Sequence, residues 1–394
     1  MLWSRALECR RWIGLLSVLS ALSLGGSPMQ AEETARVYVG TYTTGDSEGV
    51  YSFELSLESG KPTEPVLAAK LTNPSFVAFD PQHHFLYAVN EVNDFPGAKS
   101  TKRGDGGVSA FRIDSSTGKL TPLNSQLTRG GAPCHVSVDA TGRNVLVANY
   151  GGGSVSVLPV NEDGSLKETS SFVQHEGSSV DPGRQEGPHA HSVNLSLDNK
   201  FAFVADLGLD QVLVYRFDAK NGTIAPNDPP HASVKPGGGP RHFAFHPSGK
   251  FAYTNNEMTL VETAFKYDAA AGTLTPFQYI STIPDDADRK GASTAETLVH
   301  PSGKFLYVSN RGHGSIAAFA IADDGSLTRI GNYSSGGKVP RNFGIDPTGK
   351  FLVAANQDNG VIEVLRIDQE TGVLKETGHR INVPNPVCIR MFVE

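Results

Sequence analysis

Cysteine is scarce in this chain: three in 394 residues, and Cys9 lies in an N-terminal segment that reads as cleavable. Cys134 and Cys388 remain. That excludes a disulfide framework and leaves two packed, free thiols as the expectation. The chain also lacks an excess of basic charge. Its formal net charge is −7, and it becomes −9 once three arginines and one glutamate of residues 1–31 are set aside. Such a balance argues against nucleic acid or an anionic membrane as partner. The runs Gly151–Gly153 and Gly237–Gly239 open no helix, which removes a phosphate-cradling loop. A DxDxDG calcium pattern is absent too. His189-x-His191 is half of a metal site without a convincing third or fourth ligand, so no metal and no cofactor are expected.

Long apolar runs are missing except one. Trp12 to Leu24, thirteen residues, follows Arg5, Arg10 and Arg11 and precedes Ser27-Pro28-Met29-Gln30-Ala31. That run is too short to span a bilayer comfortably and has the order of an export signal with cleavage after Ala31. Residues 1–31 are therefore read as a signal peptide and 32–394 as one exported domain, periplasmic or extracellular, without a membrane anchor.

What the chain does contain is a repeated phrase. GGGPRHFAFHPSGKFAYTNNE, from Gly237 to Glu257, reads as a strand, a Pro-Ser-Gly turn and a second strand, with apolar residues alternating in both arms. Versions of it start at Asp80, Asp139, Ser196, His300 and Asp346. Aligned on the residue after the turn (His84, Arg143, Lys200, Lys250, Lys304, Lys350), the intervals are 59, 57, 50, 54 and 46 residues. Each interval also holds two further turn-bounded strands. Four short antiparallel strands per roughly 40–50 residues is the size of a propeller blade. The two ends complete the count: RVYVGTYT and GVYSFEL read as middle strands lacking an innermost one, and VPNPVCIRMFVE reads as an innermost strand alone. One shared blade makes seven and closes the ring. A two-domain β-sandwich would need a linker or a break in the repeat, and neither is seen. The expected fold is an all-β, seven-bladed β-propeller. A closed ring needs no partner to cover an edge, so a monomer is the default.

The repeat separates scaffold from site. Four residues before each anchor stand turn openers, which assigns His246 and His300 to structure. Positions five and seven before it are apolar core, as in Phe245 and Phe243. Six after it stand Asn90, Asn149, Asp206, Asn256, Asn310 and Asn356, read as strand-end acceptors for backbone donors. Three columns vary instead. Nine before come Ser75, Cys134, His191, Arg241, Ala295 and Arg341. Eight before come Phe76, His135, Ser192, His242, Glu296 and Asn342. Seven after come Glu91, Tyr150, Leu207, Glu257, Arg311 and Gln357. The start of the first strand and the end of the second share one end of a hairpin, hence one rim of the central channel. His191, Arg241, Glu257 and Arg311 should converge there from three consecutive blades. The long connections after Glu91, ahead of His191 and ahead of Thr294 open on the same rim and should shape the site. Glu257 or His191 can serve as general base, and Arg241 and Arg311 can hold an oxyanion, carboxylate or phosphate. A structural Arg–Glu bridge between blades is the competing reading.

These residues resemble a family, the seven-bladed lactonase propellers, which includes bacterial cycle-type 6-phosphogluconolactonase and fungal carboxy-cis,cis-muconate lactonizing enzyme. The matching motifs are YVGTYT at Tyr38, LYAVNE at Leu86, GPHAHSV at Gly187, VADLGLDQV at Val204, GPRHFAFHPSGKFAY at Gly239, NNE at Asn255 and VSNRG at Val308. They extend over residues 36–394. The resemblance implies a metal-free lactone hydrolase, or less often a cycloisomerase, with a small lactone as substrate. It carries catalytic roles onto His191, Arg241, Glu257 and Arg311. Glu91, His135, Tyr150, His189, His242 and Arg341 are the candidate substrate contacts. The export signal departs from a cytosolic 6-phosphogluconolactonase. The basic loop with Lys99, Lys102 and Arg103 is either a phosphate contact or a solvated loop tip. The rival from another class is a propeller that binds a ligand or protein on this rim without chemistry.

Overall fold

The recurring phrase folds as the two inner strands of a blade. In the Gly237–Glu257 unit, Pro240–Phe245 leads into the turn and Phe251–Asn256 returns from it. Gly249 occupies the turn at φ +67°, where a side chain is disfavoured, and its N–H donates to the His246 carbonyl at 2.9 Å. Val261–Asp268 and Thr273–Ser281 add the outer pair. The computed structural model describes residues 33–98 and 103–393. The expected export segment, residues 1–31, and Lys99 and Lys102 lie outside the described residues.

Among the described residues there are seven four-stranded antiparallel sheets. We number the blades from the one that opens at Val77–Phe79. Blades 2 to 6 open at Pro133–Val138, Ala190–Leu195, Pro240–Phe245, Ser293–Val299 and Pro340–Ile345. These inner strands contact one another in sequence around the axis. Blade 7 pairs Pro386–Val393 as innermost strand with Thr34–Thr41, Gly49–Ser56 and Val66–Lys70. The shared blade expected from the two chain ends is present, and it leaves no seam in the inner ring.

Neighbouring blades are joined by apolar faces and by one repeated polar contact. Tyr38, Tyr87, Tyr253 and Tyr307 are fully buried. Their hydroxyls donate to the carbonyls of Gly118, Gly164, Gly325 and Gly372 in the next blade at 2.9–3.0 Å. A buried tyrosine thus keeps its apolar ring in the core while its one polar atom is satisfied. Gly325, at φ +81°, lies under the Phe251 ring so closely that a Cβ there would stand 2.4 Å from it. His246 and His300 are structural, as expected. Their Nδ1 atoms meet the Ser248 and Ser302 hydroxyls, and their Nε2 atoms reach the Gly303 and Gly349 carbonyls across the blade boundary at 2.8 Å.

The strand-end column requires a correction. Asn90, Asn256, Asn310 and Asn356 use their amides as donors, to the carbonyls of Thr72, Val261, Thr282 and Ser335. Asn149 donates to the Ser154 and Ser156 hydroxyls. Among the described residues Asp206 alone in this column accepts from the backbone, and as a carboxylate it can only accept. It takes the N–H groups of His189 and Gly208 at 2.7 and 3.0 Å.

Candidate active site

The inner strands do not run regularly past the channel mouth. Register shifts interrupt the pairing between Pro133 and His135, Ala190 and Ser192, Pro240 and Phe243, Thr294 and Thr297, and Pro340 and Asn342. Each bulge falls on the residues nine and eight before the anchor. A bulge re-aims side chains that strict alternation would send to opposite faces. Two adjacent columns, rather than every second residue, therefore contribute to the site.

Glu257 is the centre of one cluster. Its Oε2 lies 3.0 Å from Arg241 Nε and 3.0 Å from Arg311 Nη2, and its Oε1 accepts from Arg184 Nη2 at 2.8 Å. Burial alone would raise this carboxyl, but the three guanidiniums outweigh it and hold it at about 2. Burial, with Arg311 and Arg341 nearby, lowers Arg241 to about 10, which leaves it charged at neutral pH. Arg241 is also fixed by the Ala295 carbonyl at 2.5 Å, and Arg311 by the Thr294 carbonyl at 2.9 Å. The Nε atoms of both arginines lie buried without a well-aligned hydrogen bond despite the short ion contacts. Proximity of charge holds Arg241 and Arg311 to Glu257, and a hydrogen bond holds Arg184.

A second cluster stands in the same cleft. Glu91 accepts from Tyr42 at 2.9 and 3.1 Å and from the Ser75 hydroxyl. Arg341 donates to the Tyr42 oxygen at 2.9 Å and lies over its ring. Burial raises the Tyr42 phenol, so it stays protonated. The cleft between the clusters is lined by Tyr42, Ser75, Glu91, Cys134, His191, Arg241, His242 and Arg341, with Phe76 and Val387. Four guanidiniums face two carboxylates around the mouth. The excess positive charge suits an anionic ligand or an oxyanion.

Three imidazoles meet at the cleft: the His242 ring lies 5.4 Å from that of His191 and 5.5 Å from that of His135. His242 donates through Nδ1 to Glu296 at 2.6 Å, and Glu296 also engages Asn342 and, at 3.6 Å, Arg390. Burial holds His242 neutral, at about 4, against the pull of Glu296. Burial would raise Glu296, but His242, Arg390 and Arg241 keep it ionised. His191 and His135 are pushed well below 6.5, chiefly by burial and then by neighbouring cationic groups. His191 Nδ1 is 3.7 Å from Cys134 Sγ, and burial raises that thiol. Cys134 and Cys388 are free and buried, as expected.

These three imidazoles set a pH dependence. An unfolded histidine takes a proton near its ordinary 6.5, whereas each of these does so only at lower pH in the folded chain. Protons therefore favour unfolding, and stability falls as pH drops from about 6.5 toward about 4. The thermal midpoint should decline steadily across that window. A flat midpoint there would show that the imidazoles are already charged in the folded state.

The structure brings Arg241 and Arg311 onto Glu257, and Arg241 and His191 line one cleft. Glu91, His242 and Arg341 line the cleft as well. His135 lies behind it, its ring 4.1 Å from Phe76. Tyr150 stands between two imidazoles, 4.6 Å from the His189 ring and 5.3 Å from the His191 ring. His189 is tied by Nδ1 to the Tyr150 carbonyl at 3.1 Å. Among the described residues no group of three or more His, Cys, Asp or Glu could hold a metal ion. No helix of the described residues is long and apolar enough to cross a membrane. Arg103, the described member of the basic loop, bonds the Gly152 carbonyl at 3.4 Å. Arg184, Tyr42 and Arg390 were not singled out in the sequence. Arg184 sits in a connection expected to shape the site. Tyr42 and Arg390 belong to blade 7, which has no repeat anchor.

The sequence matches the family described as "Lactonase, 7-bladed beta-propeller" over residues 36–391. A 6-phosphogluconolactonase of Bacillus subtilis is 42% identical over 356 residues, 90% of this chain and 97% of that protein. One of Formosa agariphila is 34% identical over 361 residues, 90% of this chain and 99% of that protein. The solved structure of a periplasmic gluconolactonase from Pseudomonas aeruginosa superposes with a TM-score of 0.83 at 32% identity, over 91% of this chain and 99% of that one.

Proposed function

The chain belongs to the lactonase family of seven-bladed β-propellers, and from that premise we propose that it hydrolyses sugar-type lactones, 6-phosphogluconolactone to 6-phosphogluconate among them, at the channel mouth. The observation that carries the reading is the pairing of Arg241 and Arg311 on Glu257, with Arg241 lining one cleft together with neutral His191. His191 takes a proton from water, and the resulting hydroxide attacks the lactone carbonyl. Arg241 and Arg311 stabilise the negative charge that forms on the carbonyl oxygen. The ring C–O bond then breaks, the leaving oxygen recovers the proton, and the acid formed ionises to a carboxylate. Glu257 is a poor proton acceptor, held at about 2 with both oxygens engaged. Its role in this reading is to order the arginines. Relatives named for 6-phosphogluconolactone and for gluconolactone support the substrate class. Export is part of the proposal. It rests on the N-terminal signal pattern and is supported by the likeness to a protein named as periplasmic.

His191→Gln tests the base. Loss of a positioned general base costs typically 10²–10⁴-fold, so kcat on the better lactone should fall by about two orders of magnitude or more, with KM little changed. A folded variant with wild-type kcat would remove His191 from the mechanism.

A further inference from the structure

Four guanidiniums surround the mouth, and Arg184 differs from the rest. The side chains of Arg241 and Arg311 are 3% and 14% exposed, whereas that of Arg184 is 45% exposed. Arg241 and Arg311 are each anchored to a backbone carbonyl as well as to Glu257. Among the described residues the Arg184 guanidinium has only Glu257 Oε1 at 2.8 Å and, at 3.5 Å, the Tyr150 hydroxyl. Glu257 needs no third cation, since Arg241 and Arg311 already neutralise its charge.

The loop beneath Arg184 is the opposite of loose. Gln185 is completely buried and donates to the Leu207 carbonyl at 2.9 Å. His175, at the loop's start, is bound to Asp206 at 2.6 Å, and Asp206 also holds the His189 N–H at its end. Ser179 donates to Asp210 at 2.5 Å. Asp210 in turn accepts the N–H groups of Gly237 and Gly239 at 2.7 Å, just ahead of Arg241. The backbone that carries Arg184 is thus pinned to the one that carries Arg241. A fixed backbone with a partly exposed, weakly tied guanidinium at its tip is built for the side chain alone to move.

We propose that Arg184 is an exchangeable arginine that leaves Glu257 Oε1 to bind a phosphomonoester at the end of the substrate away from the lactone carbonyl, and so sets the preference for phosphorylated lactones. This deepens the functional reading above and rests on it. The carbonyl end is served by the buried Arg241 and Arg311. The outer mouth is where the far end of a ligand emerges, and a planar guanidinium there gives a phosphate two parallel hydrogen bonds. When Arg184 leaves, its half-exposed guanidinium stays within reach of solvent, and Glu257 keeps Arg241 and Arg311 on its other oxygen, Oε2.

The test compares Arg184→Ala and Arg184→Lys with wild type on 6-phosphoglucono-δ-lactone and glucono-δ-lactone. Calorimetric binding of 6-phosphogluconate and gluconate is measured alongside. The ratio of kcat/KM for the phosphorylated over the plain lactone should fall at least tenfold in Arg184→Ala, mainly through KM. The ratio of the two product affinities should fall in parallel, with Arg184→Lys in between. Both ratios within twofold of wild type would overturn the proposal. If wild type opens neither lactone, the lactonase reading fails. Arg184-dependent binding of 6-phosphogluconate would then still support the phosphate site, and Arg184-independent or undetectable binding would sink it.

Discussion

Glu257→Gln is expected to lower the stability of the folded protein by about 3–5 kcal/mol, the scale of removing one partner from a buried ion pair. The substitution is nearly isosteric, so packing is spared. What is lost is the single negative charge that Arg241 and Arg311 share at 3.0 Å each. Two buried cations are then left facing each other and Arg341. The pH dependence identifies the cause. Glu257 is held at about 2 against an ordinary 4.5, so its stabilisation is complete above about 4.5 and fades as pH falls toward about 2. The gap between wild type and variant, read as thermal midpoint, should therefore close in acid. A gap that persists unchanged to the lowest pH would mean that the introduced amide merely packs badly. Activity should also fall, because the arginines lose their alignment.

Arg241→Ala should do the reverse: cost little stability and much rate. Glu257 keeps Arg311 and Arg184, so no charge is left alone. Removing a preorganised donor aimed at a developing oxyanion typically costs 10²–10³-fold, and a loss of that size in kcat/KM is expected. Added guanidinium ion should restore part of it. Equal stability losses in Glu257→Gln and Arg241→Ala would instead favour a plain inter-blade salt bridge, the competing reading of these residues.

Much of this architecture was legible because the chain states it several times. The turn phrase marked the hairpins, the leftover ends supplied the seventh blade, and the varying columns pointed at the residues that line the cleft. The features that escaped are those repetition does not show. The Asn column reads as a set of hydrogen-bond acceptors, yet the backbone groups nearest it are carbonyls, and amide donors are what those require. Arg184 lies in a connection unique to one blade boundary, and its position depends on Asp206, Asp210 and Gln185 pinning the loop. Arg390 and Tyr42 belong to the blade without an anchor, so no column contained them. The bulges at the mouth left only an indirect trace: two adjacent columns were polar and variable where a regular strand would give one. Glu257 as base was the other open choice. Three guanidiniums around it, a count that includes the unforeseen Arg184, turn the reading toward His191.

The most direct test of the account is pH-stat hydrolysis of 6-phosphoglucono-δ-lactone and glucono-δ-lactone by the purified protein. Wild type and Arg241→Ala are run side by side, with spontaneous opening subtracted and folding checked by thermal midpoint. The account predicts wild-type rates well above the spontaneous background on at least one lactone, and a loss of about 10²–10³-fold in folded Arg241→Ala. Wild type no faster than buffer on either lactone, or a folded Arg241→Ala as fast as wild type, would contradict it.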